Sequence, residues 1–152
     1  MNRLKQDEWF IISPIFTGNR VKYCNGKFIS QVKVNKPIKK DLRTLSKCWG
    51  NPNKVLDGQI VDGSKFIIWD AISKDSPYKD SFHNRLETDI NIESYRIQEL
   101  KLKHIRILPI HYIGNNPNVI PKKLIEIKKL GFSGIQIIRD LPFGELNPII
   151  YT

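Results

Sequence analysis

Two turn dipeptides do most to restrict what this chain can fold into. Asn25-Gly26 and Asp62-Gly63 each stand between short runs rich in β-branched and aromatic residues. Such pairs accept positive φ at low cost and close two-residue hairpins, so each predicts a pair of antiparallel strands. The first hairpin falls within "NRVKYCNGKFISQVKV", and the second joins "NKVLDGQIV" to "SKFIIWDAI". Upstream, "WFIISPIF" reads as an apolar strand interrupted at Pro14. Downstream, "KHIRILPIHYI" reads as one strand interrupted at Pro109, and "SGIQIIRD" and "NPIIYT" as closing strands.

Three segments carry helical spacing instead. "PIKKDLRTLSKCWG" sets Leu42, Leu45 and Trp49 on one face, with Gly50 as a stop. Ser81 to Leu100 is mostly helical, with Leu86, Ile90, Ile97 and Leu100 as an imperfect apolar stripe. "NVIPKKLIEIKKLG" is the clearest helix: Pro121 sits in its first turn, Ile120, Leu124 and Ile127 share a face, Lys128 and Lys129 suit its C-terminus, and Gly131 ends it. The 152 residues suffice for one hydrophobic core, and neither a repeat nor a dividing linker is visible. The order predicts a single α+β domain over residues 1–152, with mainly antiparallel sheets.

The formal net charge of +10 favours encounter with polyanions but does not choose among nucleic acid, nucleotides and acidic proteins. No run of about 18 apolar residues predicts a membrane span, and the polar start "MNRLKQDEW" lacks a secretory h-region. Cys24 and Cys48 are isolated and read as plain thiols in a reducing compartment, so a cytoplasmic location is expected, that of the host if the gene is viral. The frequent Ile, Lys and Asn fit an AT-rich genome such as that of a phage or large virus. His83, His104 and His111 are scattered and show no zinc spacing. Asp57, Asp62 and Asp70 read as turn or strand-end residues, so no metal is expected. Neither a phosphate-binding glycine loop nor a serine-triad motif is present.

The series of motifs resembles the adenylation core of ATP-dependent DNA ligases. "SPIFTGNRVKYCNGKFIS" is similar to the family's S-P-K-x-D-G-x-R motif with its following hairpin. "VLDGQIV" resembles L-D-G-E-L/I-V, "KFIIWDAI" the aromatic-Asp strand, "HIRILPIHYI" the strand before the last helix, and "GFSGIQIIRD" the G-x-E-G-I-V-I-[KR]-D motif with one extra residue before Arg139. The resemblance covers nearly the whole chain. It implies the nucleotidyltransferase fold, with antiparallel sheets flanking a cleft lined by Ile15, Gln59, Trp69 and Ser133.

The same resemblance implies loss of catalysis. Where the family has the lysine that becomes adenylated, this chain has Ile15, which carries no nucleophilic nitrogen. The motif aspartate is Thr17, the ribose-contacting glutamate is Gln59, the metal-associated glutamate is Ser133, and the arginine closing the second strand is Gln31. The family's final Lys-x-Lys motif and its oligonucleotide-binding domain are expected to be missing. Gly18, Arg20, Asp57, Gly58, Trp69, Asp70 and Gly134 keep the pattern. Of these, Trp69 is implied to stack on a base, and Arg20 to face the sugar-phosphate. The expected ligand-binding set is therefore Ile15, Thr17, Arg20, Gln59, Trp69, Ser133 and Arg139, with no catalytic residue and no cofactor. The expected function is a pseudoenzyme that holds, or sequesters, a nucleotide or cyclic nucleotide as a viral counter-defence protein would. A nucleic-acid-binding module and an inhibitor of an acidic host replication or defence protein stand as alternatives. No membrane partner is expected.

Overall fold

The computed structural model describes residues 4–29, 33–50 and 54–152. Gln31 lies outside them. The described residues form two compact units, one made of Met1–Phe16 and Pro109–Thr152, the other of Thr17–Leu108.

The first unit is a four-stranded sheet with strands β1 (Phe10–Pro14), β7 (Tyr112–Gly114), β8 (Ile135–Arg139) and β9 (Ile149–Tyr151), in the order β7-β1-β8-β9. All its pairings are antiparallel. Helix α4 (Ile120–Lys129) covers one face. Its apolar stripe places Ile120 and Ile127 against Phe10 and Ile12 of β1 and Ile135 and Ile137 of β8, which point to one side at the two-residue period of a strand. Pro121 in the first turn and Gly131 at φ +102° bound the helix as the sequence predicts.

The second unit is a five-stranded sheet ordered β3-β2-β4-β5-β6, from β2 (Gly18–Cys24), β3 (Lys27–Ile29), β4 (Val55–Val61), β5 (Lys65–Ile72) and β6 (Ile105–Ile107). Both predicted hairpins form, with Asn25, Gly26, Asp62 and Gly63 all at positive φ. Helix α1 (Lys36–Ser46) begins at Asn35, whose side chain accepts from the Ile38 N–H at 3.2 Å, and buries Ile38, Leu42 and Leu45. A second helical stretch comprises α2 (Phe82–Arg85), a π-helical turn (Leu86–Ile90) and α3 (Asn91–Glu99).

The structure corrects three expectations. "KHIRILPIHYI" is two strands in two sheets: β6 lies along β5 and β7 along β1. Pro109 has no N–H to continue a ladder, and the chain leaves the sheet there. The β5–β6 pairing is parallel, so the second sheet is mixed. The stretch from 81 to 100 buries Arg85 and Glu93 completely, while Leu100 is exposed. Among the described residues no helix is long and apolar enough to cross a membrane.

Candidate functional site

The second unit carries a cluster on one face of its sheet. Residues alternate along β2, so Arg20 and Lys22 face one side while Val21 and Tyr23 are buried on the other. Arg20 stands opposite Gln59 in the ladder, and Lys22 opposite Asp57. The Arg20 Nη2 donates to Asp57 Oδ2 at 2.8 Å, and its guanidinium carbon lies 4.0 Å from the centre of the Trp69 ring. Asp57 is almost wholly buried, whereas the Arg20 side chain keeps 38% of its exposure. Gln59 donates from Nε2 to the Gly18 carbonyl at 3.3 Å.

Trp69 reaches this face because β5 is irregular. Asp57 stands opposite Asp70 and Gly58 opposite Ile68, so Trp69 has no partner on β4. Such a bulge inserts one residue and re-aims its side chain. Trp69 contacts Arg20, and Asp70, the next residue, lies close enough to Asp57 to feel its charge. Asp70 is anchored by Arg85, whose Nε and Nη2 donate to its two carboxylate oxygens at 2.9 and 2.8 Å with both side chains fully buried. Burial pushes the Asp70 carboxyl up to about 6, against the pull of Arg85. Asp57 and Asp70 are therefore mid-strand ion-pair residues, not turn residues; only Asp62 sits in a turn.

Trp69 is only 4% exposed, and Arg20 covers one face of its ring. A base can stack on that face only if Arg20 swings aside. The indole Nε1 is buried without an acceptor among the described residues. Leaving a buried donor unmatched costs about 1–3 kcal/mol. Arg20 makes its single hydrogen bond among the described residues to Asp57, so guanidinium donors remain for a ligand.

The other expected site residues are divided between the two units. Thr17 is exposed at the start of the second unit. Ile15 and Ser133 belong to the first unit, where the Ile15 N–H donates to the Gly134 carbonyl at 3.1 Å and Ser133 is exposed. Gly134 is tightly hemmed: an added Cβ would meet the Tyr151 carbonyl at 2.1 Å and Ile15 Cδ1 at 3.1 Å. Arg139 is not near Ile15. Pro14 pairs with Ile135 at one end of β8, while Arg139 pairs with Phe10 at the other. Its guanidinium grips both carboxylate oxygens of Glu8, at 2.6 and 2.7 Å.

Sequence reasoning missed a second buried charge cluster. Glu93 receives the Trp49 indole N–H at 2.8 Å, Lys54 Nζ at 3.1 Å and Arg96 Nη1 at 2.6 Å. The signal was a glutamate on the inward face of an imperfect helical stripe. Cys24 and Cys48 are free thiols. Among the described residues no group of three or more His, Cys, Asp or Glu is placed to hold a metal ion.

No family profile and no curated protein matches the sequence. Solved structures do match its shape. A chain from a study of DNA binding by Lig E DNA ligases superposes with a TM-score of 0.60 over 97% of this chain, at 15% identity. The fold is DNA-ligase-like. Two further chains, described as Pmar-Lig_Pre and Pmar-Lig_PreS3, superpose at TM-scores of 0.66 and 0.65, with 15% and 14% identity, over 97% and 95% of this chain. This ligase-like chain spans 64% of the Lig E chain and 43% of each of the other two.

Proposed function

We propose that this ligase-like chain binds an anionic nucleotide without reacting with it, at the Arg20–Trp69 cluster. The observation that carries the reading is a guanidinium held from two directions, by Asp57 at 2.8 Å and by the Trp69 ring at 4.0 Å. A guanidinium suits phosphate geometry, and Arg20 must leave the Trp69 ring to expose that ring to a base. The Trp69 N–H is buried without an acceptor among the described residues, so it meets a ligand only when the ring is uncovered. Trp69 thus acts first as the platform for Arg20, and it offers its ring to a base once Arg20 turns outward onto phosphate. Ile15, where the ligases have their nucleophilic lysine, supports the non-catalytic part of the reading. A ligand retained without a nucleophile is sequestered and not converted, which is the chemistry a viral protein needs against a host nucleotide signal.

Calorimetry with ATP and with a cyclic dinucleotide tests this. Stacking on an aromatic is worth about 1–3 kcal/mol per base, so Trp69→Ala is expected to weaken binding roughly tenfold or more. Arg20→Ala weakens it as well and reduces its salt dependence. Changing Lys101 and Lys103 to Ala leaves it intact. Nucleotide affinity that survives both Arg20→Ala and Trp69→Ala would overturn the assignment.

A further inference from the structure

The Arg20–Trp69 cluster also carries information about which base it accepts, and this inference rests on the nucleotide-binding reading above. The guanidinium of Arg20 holds two contacts that a planar ligand would otherwise make. Its carbon lies 4.0 Å from the centre of the Trp69 ring, and its Nη2 donates to Asp57 Oδ2 at 2.8 Å. When Arg20 turns outward onto phosphate, both are vacated together: a wide aromatic face, and a carboxylate within reach of whatever lies on that face. The carboxylate is the costlier of the two to leave unmatched. The Asp57 side chain is almost wholly buried, and a buried charge without donors carries a large desolvation penalty. The other cations of the cluster do not replace Arg20. Lys22, opposite Asp57 in the ladder, is exposed. Arg85 gives Nε and Nη2 to Asp70, and Nη1 to the carbonyls of Tyr78 and Lys79. The vacated space therefore suits a ligand that is planar and brings its own N–H donors to Asp57.

Among the bases this selects guanine. Its pairing edge carries a ring N–H and an amino group on the same carbon, which is the N–C–N donor fork of a guanidinium. Such a fork fits the two oxygens of a carboxylate, of which Arg20 engages Oδ2. Adenine and cytosine present one amino group beside a bare ring nitrogen, whose lone pair would face the second carboxylate oxygen. Uracil and thymine present a ring N–H between two carbonyls, which repel the carboxylate on both sides. Laid on the Trp69 ring, guanine remakes both contacts of the guanidinium it displaces. Arg20 is thus the internal occupant of a guanine-shaped site, and its release onto phosphate ties recognition of the base to recognition of the charge.

We propose that the cluster of Arg20, Trp69 and Asp57 is specific for a guanine nucleotide, with Asp57 accepting from the ring N–H and the amino group of the base. Calorimetry of the full chain with GTP, ITP and ATP tests it; ITP keeps the ring N–H and lacks the amino group. GTP is expected to bind about tenfold or more tightly than ATP, with ITP between them, because each mismatch leaves a buried charged acceptor unpaired. This comparison on the wild type needs no variant to fold. Asp57→Asn should remove the preference for GTP, since an amide can both accept from and donate to the adenine edge. Guanosine separates base from phosphate. Carrying no charge, it gains nothing from Arg20, so Arg20→Ala should bind guanosine at least as well as the wild type while binding GTP more weakly. Equal affinity for GTP and ATP, lost in both Arg20→Ala and Trp69→Ala, would overturn the specificity and leave the nucleotide site standing. ITP binding as tightly as GTP, or a GTP preference that survives Asp57→Asn, would overturn the assigned contacts and with them the inference. Absence of binding by all three nucleotides would overturn both readings.

Discussion

Gly58→Ala is a stringent test of the geometry around the cluster, because the space at that residue is defined by backbone. A Cβ added to Gly58 would lie 2.0 Å from the Ile67 carbonyl oxygen, 3.0 Å from its carbon and 2.8 Å from Phe66 Cε1. An ordinary carbon–oxygen contact is about 3.3 Å or longer, so β4 and β5 must part locally by roughly 1.3 Å. Ladder bonds near 2.9 Å then pass beyond hydrogen-bonding range, and losing one or two costs about 1 kcal/mol each. Overpacking adds about 1–3 kcal/mol. The sum, about 2–5 kcal/mol, is a large share of the 5–15 kcal/mol that holds a typical domain. It corresponds to a fall in Tm of roughly 4–20 °C for a chain of this size. Gly26→Ala is the control: no atom lies within 4 Å of its added Cβ, and only its φ of +78° is strained, a cost of about 1–2 kcal/mol. Urea and thermal unfolding followed by circular dichroism compare the two. A Gly58→Ala protein as stable as Gly26→Ala would refute the close approach of the two strands.

Further outcomes follow from the charge clusters and from Ile15. Glu93→Gln leaves Lys54, with a side chain only 7% exposed, without its counter-charge, and is expected to cost about 3–5 kcal/mol in urea unfolding at neutral pH; a loss under about 1 kcal/mol would show that the ammonium finds water or another partner. The hydrogen bonds from Arg139 hold the Glu8 carboxyl below its ordinary 4.5. The stability this pair contributes is therefore complete above about 4.5 and is lost as pH falls through the lowered pKa, so the gap between wild type and Glu8→Gln should narrow on acidification. A gap that widens towards acid would contradict that sign. Incubation with radiolabelled ATP and magnesium should leave no label covalently bound to the wild type, and Ile15→Lys should not seal nicked DNA, because Thr17, Gln59 and Ser133 also depart from the ligase pattern; sealing by the single variant would show that those positions are dispensable.

What the sequence made legible was local chemistry. Asn25-Gly26 and Asp62-Gly63 close turns because their backbone preferences dictate it, and Pro121 and Gly131 bracket a helix for the same reason. The positions of Arg20, Gln59 and Trp69 on one hairpin-built sheet followed from the motif series. What stayed hidden depended on partners distant in sequence. "KFIIWDAI" is a nearly continuous apolar run, so no two-residue period betrays where its bulge falls, or that Arg20 lies on Trp69. Arg85 and Glu93 look like solvent-facing charges until Asp70 and Lys54 arrive to bury them. Arg139 fits its motif by letter, but the pairing of β8 with β1 carries it to Glu8.

The unpaired residue in β5 has a consequence for how this cluster can change by mutation or design. On a regular strand, neighbouring side chains point to opposite faces, so Trp69 and Asp70 could not both serve the Arg20 side. The extra residue makes them a unit. Deleting one residue there would heal the ladder, send one of the two to the far face, and strand Arg85 or uncover Arg20. Point substitution can alter what the cluster binds, but its layout moves only with the length of the strand. A relative lacking that single residue would have to hold its arginine in some other way.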